Sequence, residues 1–475
     1  MPTTIEIPDR LKSLVPALQR LIDESESRAR RAAIAGTLDY SEFEKVIESR
    51  VAELECAVHG AMLGALDVDA TRVTINGVVH TKVGRHSTTY MTKAGPVEVP
   101  RSLFRRVGDR NGPTVDLVAL RAQMVEGVWL PAAARAMARF LAQGTSREAE
   151  TLAKEAGRLP YSRTSFERIG HAVGAAYVGN REAIDRAVID RFEAPPEATS
   201  ISVSLDRVAV PMEEPLPRPV GRPRKGAPKR PVARVWHMAY CGSVTLHDAT
   251  GEALHTIRCG TMPAGDAQRL CERMADEVLA VLSNTEITKV TLVCDGAPEM
   301  WNLLDAEFPK ERFLEMGMQV VRLVDYWHVI EKLSAAASVI DAGGDGAVAR
   351  TWRVSLLNQS HAAEGILAEL QASRRRDVLV GKSRPVHDAI TYLENHADRL
   401  DYRSARRQGL PIGSGNVEAT CKSLFGVRMN RGGARWKHQT GEEVINLRAL
   451  ALSDSWDVAM PLVLQVPHVA IRRVA

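Results

Sequence analysis

The spacing of apolar and polar positions changes several times along the chain, and each change marks a boundary. From about residue 8 to 66, apolar residues recur at helical intervals through Leu11, Leu14, Val15, Leu18, Leu21 and Ile22, then Phe43, Val46, Ile47, Val51 and Leu54. From about 71 to 107 the period falls to two, with Val73, Ile75, Val78, Val79 and then Val97 and Val99 alternating with polar residues. Gly77, Gly84 and Gly95 punctuate them, which predicts a small antiparallel β unit. From about 130 to 178 the helical period returns. Thr145-Ser146-Arg147-Glu148 predicts an N-terminal cap, and Gly157-Arg158-Leu159-Pro160-Tyr161 breaks the helix that follows.

The third helix of this group carries Arg163, Thr164, Ser165, Arg168 and His171. Three short helices with a tight break and a basic third member suit a helix-turn-helix DNA reader, with Arg163 and Arg168 as contacts. An ordinary helical bundle gives the same pattern.

At Ser200 the texture becomes strand-like. Ile201-Ser202-Val203-Ser204-Leu205-Asp206 alternates strictly and sets an acid inside a strand, where a lone carboxylate is costly to bury. Val232–Leu246 and Glu252–Gly260 predict two more strands around Asp248-Ala249-Thr250-Gly251. Gly265–Leu282 predicts an amphipathic helix. Lys289–Ala297 follows as a run of apolar residues ending in Asp295-Gly296, the pattern of a buried strand that delivers an acid to a sheet edge. Asp295 there is either chemistry or the cap of the helix beginning at Pro298. Met318–Asp325 is the fifth strand and leads through Tyr326-Trp327-His328 into another helix.

Three consecutive strands, then helix, strand, helix, strand, helix, is the order of an RNase H-like domain, whose first three strands are antiparallel and the rest parallel. Residues 334–404 then read as an inserted helical region. Leu410–Lys422 returns to a Gly-Ser-Gly turn opening a helix with Glu418 in its first turn, a place the helix dipole favours for an acid in any case. The divisions are 1–66 (helical), 67–128 (small β unit), 129–195 (helix-turn-helix-like), 196–333 (core, first part), 334–404 (helical insertion) and 405–475 (last core helices and tail). The fold class is thus multidomain, an α/β core with a mixed sheet flanked by helices, plus an N-terminal DNA-binding region.

Composition changes little in this picture. The chain has 475 residues, 45% hydrophobic and 25% charged, with a formal net charge of +4, so local rather than global charge decides what it binds. Six scattered cysteines form no Cys-x-x-Cys pair, which argues against a zinc ribbon or disulfide scaffold and fits a reducing cytoplasm. No signal peptide and no membrane-spanning run is visible.

Local charge is more informative. From Pro215 to Arg234 there is no acid, while Arg218, Arg222, Arg224, Lys225, Lys229, Arg230 and Arg234 are basic. Gly221-Arg222-Pro223 resembles an AT-hook core, so Arg222, Arg224, Lys225, Lys229 and Arg230 are candidate phosphate or minor-groove contacts; a solvated hairpin tip is the other reading. After Glu418 come Lys422, Arg428, Arg431, Arg435 and Trp436, which suit a backbone path with a stacking base.

Asp206 after the first strand's apolar run, Asp295 after the fourth strand and Glu418 on a late helix meet in an RNase H-like fold, because its first and fourth strands are neighbours. Carboxylates that close repel unless cations share them, and hard oxygen ligands select Mg²⁺ or Mn²⁺. Two such ions about 3.5–4 Å apart would activate a water or a DNA 3′-hydroxyl for in-line displacement at phosphorus.

The chain resembles bacterial insertion-sequence transposases of the DDE class, most closely the ISKra-four family. The matching pieces are Ser204-Leu205-Asp206, Val293-Cys294-Asp295-Gly296-Ala297, Leu323-Val324-Asp325-Tyr326-Trp327-His328, Ile412–Ala419 and the segment ending in Arg435-Trp436. They lie within roughly residues 70–457. The resemblance implies that Asp206, Asp295 and Glu418 are the metal-binding catalytic triad and that the N-terminal region binds terminal inverted repeats. It further implies target DNA as a partner, a homodimer or higher assembly, and a nucleoid-associated bacterial protein. Asp325 and His328 match an Asp-x-x-His element that either orients a scissile phosphate or braces the site. Family members often carry a Cys-x-x-Cys knuckle after the β unit; Val107–Gly112 has none. Two other functions share this sequence pattern: a domesticated DNA-binding protein without catalysis, and a structure-selective nuclease that cuts without rejoining.

Overall fold

The computed structural model describes residues 6–217, 221, 232–465 and 469–474. The basic loop residues Arg222, Arg224, Lys225, Lys229 and Arg230 lie outside the described residues. The chain divides into two compact units, residues 1–181 with 460–475, and residues 182–459.

The first unit opens with two long helices, Val15–Ala35 and Tyr40–Ala65. Gly36 ends the first in the left-handed conformation that glycine adopts without strain, and Asp39 caps the second by accepting the Glu42 amide. Four strands follow: β1 (Arg72–Ile75), β2 (Val78–Met91), β3 (Pro96–Arg106) and β4 (Val115–Asp116). Asn76-Gly77 joins β1 to β2 with φ positive at both residues, the tight hairpin turn matched to strand twist. The C-terminal strand, Ile471–Arg473, pairs antiparallel with β1 and gives the order last strand-β1-β2-β3-β4. The tail assigned by sequence to the catalytic core therefore returns to the N-terminal sheet, a pairing across almost the whole chain that no local pattern announces.

Helices Pro131–Gln143, Ser146–Glu155 and Arg163–Gly179 complete this unit. The Thr145–Glu148 capping box forms as its residues predict, each side chain bonded to the other's backbone amide. A Cβ at Gly170 would come within 2.4 Å of Leu141, so glycine lets the first and third helices pack closely.

The second unit is built on five strands: β5 (Ser200–Pro215), β6 (Val232–His247), β7 (Ala253–Thr261), β8 (Lys289–Cys294) and β9 (Gln319–Val324). They lie in the order β7-β6-β5-β8-β9. β5, β6 and β7 are mutually antiparallel, whereas β8 runs parallel to β5 and β9 parallel to β8. Strand identity, order and direction are those the sequence predicts for this half of the chain. The β5–β6 hairpin is longer than expected, since β5 continues past Val210 to Pro215.

Strand β8, between β5 and β9, is apolar because both its faces are covered. Val290, Leu292, Val293 and Cys294 are fully buried, and each such aliphatic side chain contributes roughly 1.5–3 kcal/mol. The helix Ala267–Ser283 shares one hydrophobic core with this strand through Leu270, Met274 and Val278. The helices following β9, namely Tyr326–Ile340, Ala347–Asn358, Ala362–Ala372 and Pro385–Asn395, belong to the same hydrophobic core through Leu333, Trp352, Leu370 and Ile390. The helical region 334–404 is thus packed onto the sheet and forms part of its core. No helix among the described residues is long and apolar enough to cross a membrane.

Candidate functional site

Register is what first brings the predicted acids together. The β5–β8 ladder pairs Ile201 with Val290, Ser202 with Thr291 and Val203 with Leu292. Continuing that offset by three residues sets Asp206 level with Asp295. Asp206 lies within β5, opposite Cys241 of β6, and Asp295 is the first residue after β8. Their flanks are also tied. Arg207 forms an ion pair with Glu299, in the first turn of the helix after Asp295, and the Tyr240 hydroxyl donates to the same carboxylate.

Glu418 arrives from the other direction. It stands on the short helix Gly415–Thr420, which continues into a wider π-helical turn at Cys421–Gly426. Cys421 lies three residues beyond Glu418, hence on the same helical face. Its Sγ is 3.6 Å from Asp206 Oδ2. Glu418 is therefore about one helical turn from the group that touches Asp206.

On its other side Glu418 meets Asp325 and His328. One potential ligand atom from each of Asp325, His328 and Glu418 lies within 4.8 Å of the other two, a spacing that could hold a metal ion. Among the described residues this is the one such group of three; Asp206 and Asp295 are not in it.

Hydrogen bonding separates braces from free ligands. Asp325 is almost wholly buried and caps the helix Tyr326–Ile340, its Oδ1 accepting the amides of Trp327 at 2.6 Å and His328 at 3.2 Å. Its Oδ2 accepts both the amide and the hydroxyl of Ser414, the latter at 2.6 Å. A carboxylate offers about four lone-pair sites, and these four bonds occupy them. Burial would raise the Asp325 pKa, but the hydrogen bonds from His328 and Ser414 outweigh it and hold the carboxyl at about 2. Asp325 is thus committed to fixing the turn that starts the Glu418 helix. It is a poor ligand despite its spacing.

The other acids are less engaged. Asp206 Oδ1 accepts the Arg207 amide, and its Oδ2 has only the weak thiol contact. Asp295 Oδ1 accepts the Ala297 amide at 3.0 Å, which shapes the turn, while Ala297 occupies the cap position of the following helix. Asp295 Oδ2 and the Glu418 carboxylate have no hydrogen-bond partner among the described residues. Carboxylate oxygens are hard donors of the kind divalent cations take, and among the described residues the spacing that could hold an ion is that of Asp325, His328 and Glu418.

His328 Nδ1 is buried and 3.5 Å from Asp325 Oδ1, too long for a good hydrogen bond but close enough for strong attraction. That contact raises the imidazole pKa; burial opposes it, and the charges of Asp325, Asp295 and Glu418 add to the rise. In its charged form His328 offsets part of the local negative charge.

Beneath Asp295, the backbone of Gly296 is pressed by two aromatic side chains. A Cβ there would come within 2.6 Å of the Tyr392 ring and 2.8 Å of His396 Nε2. Burial raises the Tyr392 pKa and lowers that of His396. Sequence reading missed both residues. They lie about a hundred positions away, on and just after the helix Pro385–Asn395, and no local pattern in the sequence pointed to them.

The candidate DNA contacts behave unequally. Lys422 and Arg435 are exposed, as are Arg163 and Arg168, with Arg168 within 3.3 Å of Glu126. Arg428 is instead buried, with its guanidinium 4.7 Å from the Trp436 ring centroid. Arg431 bonds the Val427 carbonyl. The Trp436 backbone bridges β5 through Pro211 and Glu213, and its indole donates to the Met429 carbonyl. Arg428 and Trp436 here fasten the tail to the extended hairpin.

No protein-family model matches the chain, and no curated protein does. Among solved structures it is similar to the Drosophila P element transposase strand transfer complex, with a TM-score of 0.24 and 11% identity, covering 68% of this chain and 79% of that one.

Proposed function

We propose that the chain is an insertion-sequence transposase of the DDE class with an RNase H-like core, which binds terminal inverted repeats and cuts and joins DNA using divalent metal. The observation that supports this reading is the parallel pairing of β5 with β8, whose offset, carried three residues on, would set Asp206 level with Asp295, together with the Cys421 thiol 3.6 Å from Asp206. Asp206, through the oxygen that has only the weak thiol contact, and Asp295 and Glu418, through oxygens without a hydrogen-bond partner among the described residues, would hold the metal. When bound, two Mg²⁺ or Mn²⁺ ions would supply Lewis-acid activation of the attacking oxygen and stabilise the leaving one.

The remaining residues position and neutralise. Asp325 fixes Ser414 and so the start of the Glu418 helix. The Asp325 contact favours the charged form of His328, and a DNA phosphate approaching the acids would meet that charge when the ring is protonated. Exposed Lys422 and Arg435 meet the DNA backbone, as do the basic residues Arg222, Arg224, Lys225, Lys229 and Arg230. Arg163 and Arg168 belong to the proposed reader of the terminal repeats. Cutting two ends together calls for a homodimer or a larger assembly, acting at the bacterial nucleoid.

The test is incubation of the protein with paired transposon ends, target DNA and Mg²⁺. Strand-transfer products are expected. Cleavage without joining would make the chain a structure-selective nuclease, and a mobility shift alone would make it a DNA-binding protein without catalysis.

A further inference from the structure

Two tryptophans are more than half exposed among the described residues, Trp236 and Trp327. Trp236 stands five residues along β6 from Cys241, the strand partner of Asp206, or roughly 17 Å at ordinary strand rise. Trp327 is the residue before His328, and its own amide is bonded to Asp325. Its side chain is 55% exposed immediately beside the acid cluster. A half-exposed indole at that place leaves one ring surface open beside the acids.

The ring is also held in place. Gly413, which carries the chain into Ser414, passes so close that a Cβ would lie 3.2 Å from Trp327 Cδ1. Tyr326 meets the ring edge-on, with centroids 5.2 Å apart and planes at 75°. The Arg353 guanidinium lies 4.9 Å from the ring centroid, is exposed, and makes no ion pair among the described residues. Arg406 adds a second positive charge close to Tyr326. A fixed, half-exposed indole with unneutralised guanidinium charge beside it combines a stacking surface for a base with a site for the phosphate attached to it.

We infer that Trp327 and Arg353 form a subsite for an unpaired DNA nucleotide next to the reacting phosphodiester. Trp327 stacks on the base, and Arg353 contacts its phosphate. This rests on the reading of the acid cluster as a DNA-processing site and adds what the DNA must look like there: locally unpaired, with one base turned out of the helix. An intact duplex offers no free base face, so the subsite favours a frayed end, an overhang or an extruded base.

The experiment measures binding of the full-length chain, in Ca²⁺ to hold back cleavage, to two DNAs of equal length. One is a blunt duplex, and the other carries a 3′ overhang with 2-aminopurine as its first unpaired base. Overhang DNA is expected to bind more tightly, with the probe's fluorescence changing on binding as its base stacks. Trp327→Ala is expected to weaken overhang binding by roughly tenfold, within the range of base–aromatic stacking, while leaving blunt-duplex binding and thermal unfolding unchanged. Trp327→Phe should restore most of the loss, and Arg353→Ala should reduce the salt dependence of overhang binding.

Equal binding of the overhang DNA by wild type and Trp327→Ala, equal loss on both DNAs, or no binding to either would overturn the subsite. The catalytic reading fails separately. Trp327-dependent overhang binding with no Mg²⁺-dependent cleavage would remove the chemistry and keep the subsite, whereas cleavage with an indifferent Trp327 would do the reverse.

Discussion

Asp325 accepts the Ser414 hydroxyl at 2.6 Å across 89 positions of sequence, and this bond ties the end of β9 to the start of the Glu418 helix. The same carboxyl oxygen takes the Ser414 amide, and the other oxygen caps the helix that carries His328. One buried anion thus orients two elements that both face the acid cluster. Its four hydrogen bonds make it a brace whose failure would be felt at Glu418.

Ser414→Ala removes one of those bonds and leaves the buried carboxylate underbonded, which costs about 1.5–3 kcal/mol for a bond to a charged group. The expected outcome is a lower midpoint in urea unfolding and a fall in the rate of DNA cleavage at saturating DNA, with little change in DNA affinity. Unchanged cleavage in a variant that is measurably less stable would mean that Asp325 supports the fold without positioning Glu418.

Asp206→Asn, Asp295→Asn and Glu418→Gln keep the shape of each side chain and remove its charge. Each is expected to lower Mg²⁺-dependent cleavage by roughly 10²–10³ or more, the scale of losing a group that stabilises developing charge, while end binding persists in a mobility-shift assay. Combining two of the changes should cost little more than one, because ligands of a shared centre act as a unit. If Asp295→Asn abolishes DNA binding instead, the acid's place is structural, through its bond to the Ala297 amide.

The strands of the second unit were legible because burial leaves a local signature. An apolar run such as Val290–Cys294 needs cover on both faces, whereas the alternation at Ile201–Leu205 predicts one covered face and the structure buries Ser202 and Ser204 on the other as well. Asp295 at the end of such a run was equally readable. For Asp325 a brace was one of two readings, beside orienting a phosphate, and nothing local shows that its second oxygen is taken by Ser414. Arg428 and Trp436 read as DNA contacts because basic and aromatic residues look alike whether they face solvent or each other, and only packing shows Arg428 stacked beneath Trp436. The pairing of Ile471–Arg473 with Arg72–Ile75 escaped for a related reason, since a three-residue strand carries too few positions to show a period.

Gly296→Ala tests the close approach beneath Asp295. The added methyl would overlap the Tyr392 ring and His396 Nε2, and both belong to a packed helical segment that cannot retreat without disturbing Ile390 and Leu393. Overpacking of this kind costs about 1–3 kcal/mol. A reduced melting temperature is expected together with slower cleavage, and Tyr392→Phe in the same background should recover part of the stability by removing the hydroxyl that lies 2.8 Å from the new Cβ. A Gly296→Ala protein as stable and active as wild type would show that the segment after Asp295 has room to move.

Glu277 sets the pH dependence of stability in the helix Ala267–Ser283. Burial raises its carboxyl to about 8, with Asp185 and Asp276 adding to the rise and Arg273 opposing it. The folded protein therefore keeps a proton on Glu277 that the unfolded chain releases near the ordinary glutamate range. Between those two values the unfolded state binds fewer protons, so stability falls as pH increases from about 4.5 to about 8. Glu277→Gln supplies a permanently neutral isostere and removes this contribution. Urea unfolding across that range should show a flatter stability profile for the variant than for wild type, with the variant's advantage largest at and above pH 8. Parallel profiles for the two proteins would mean that Glu277 ionises in the folded state much as it does in the unfolded chain.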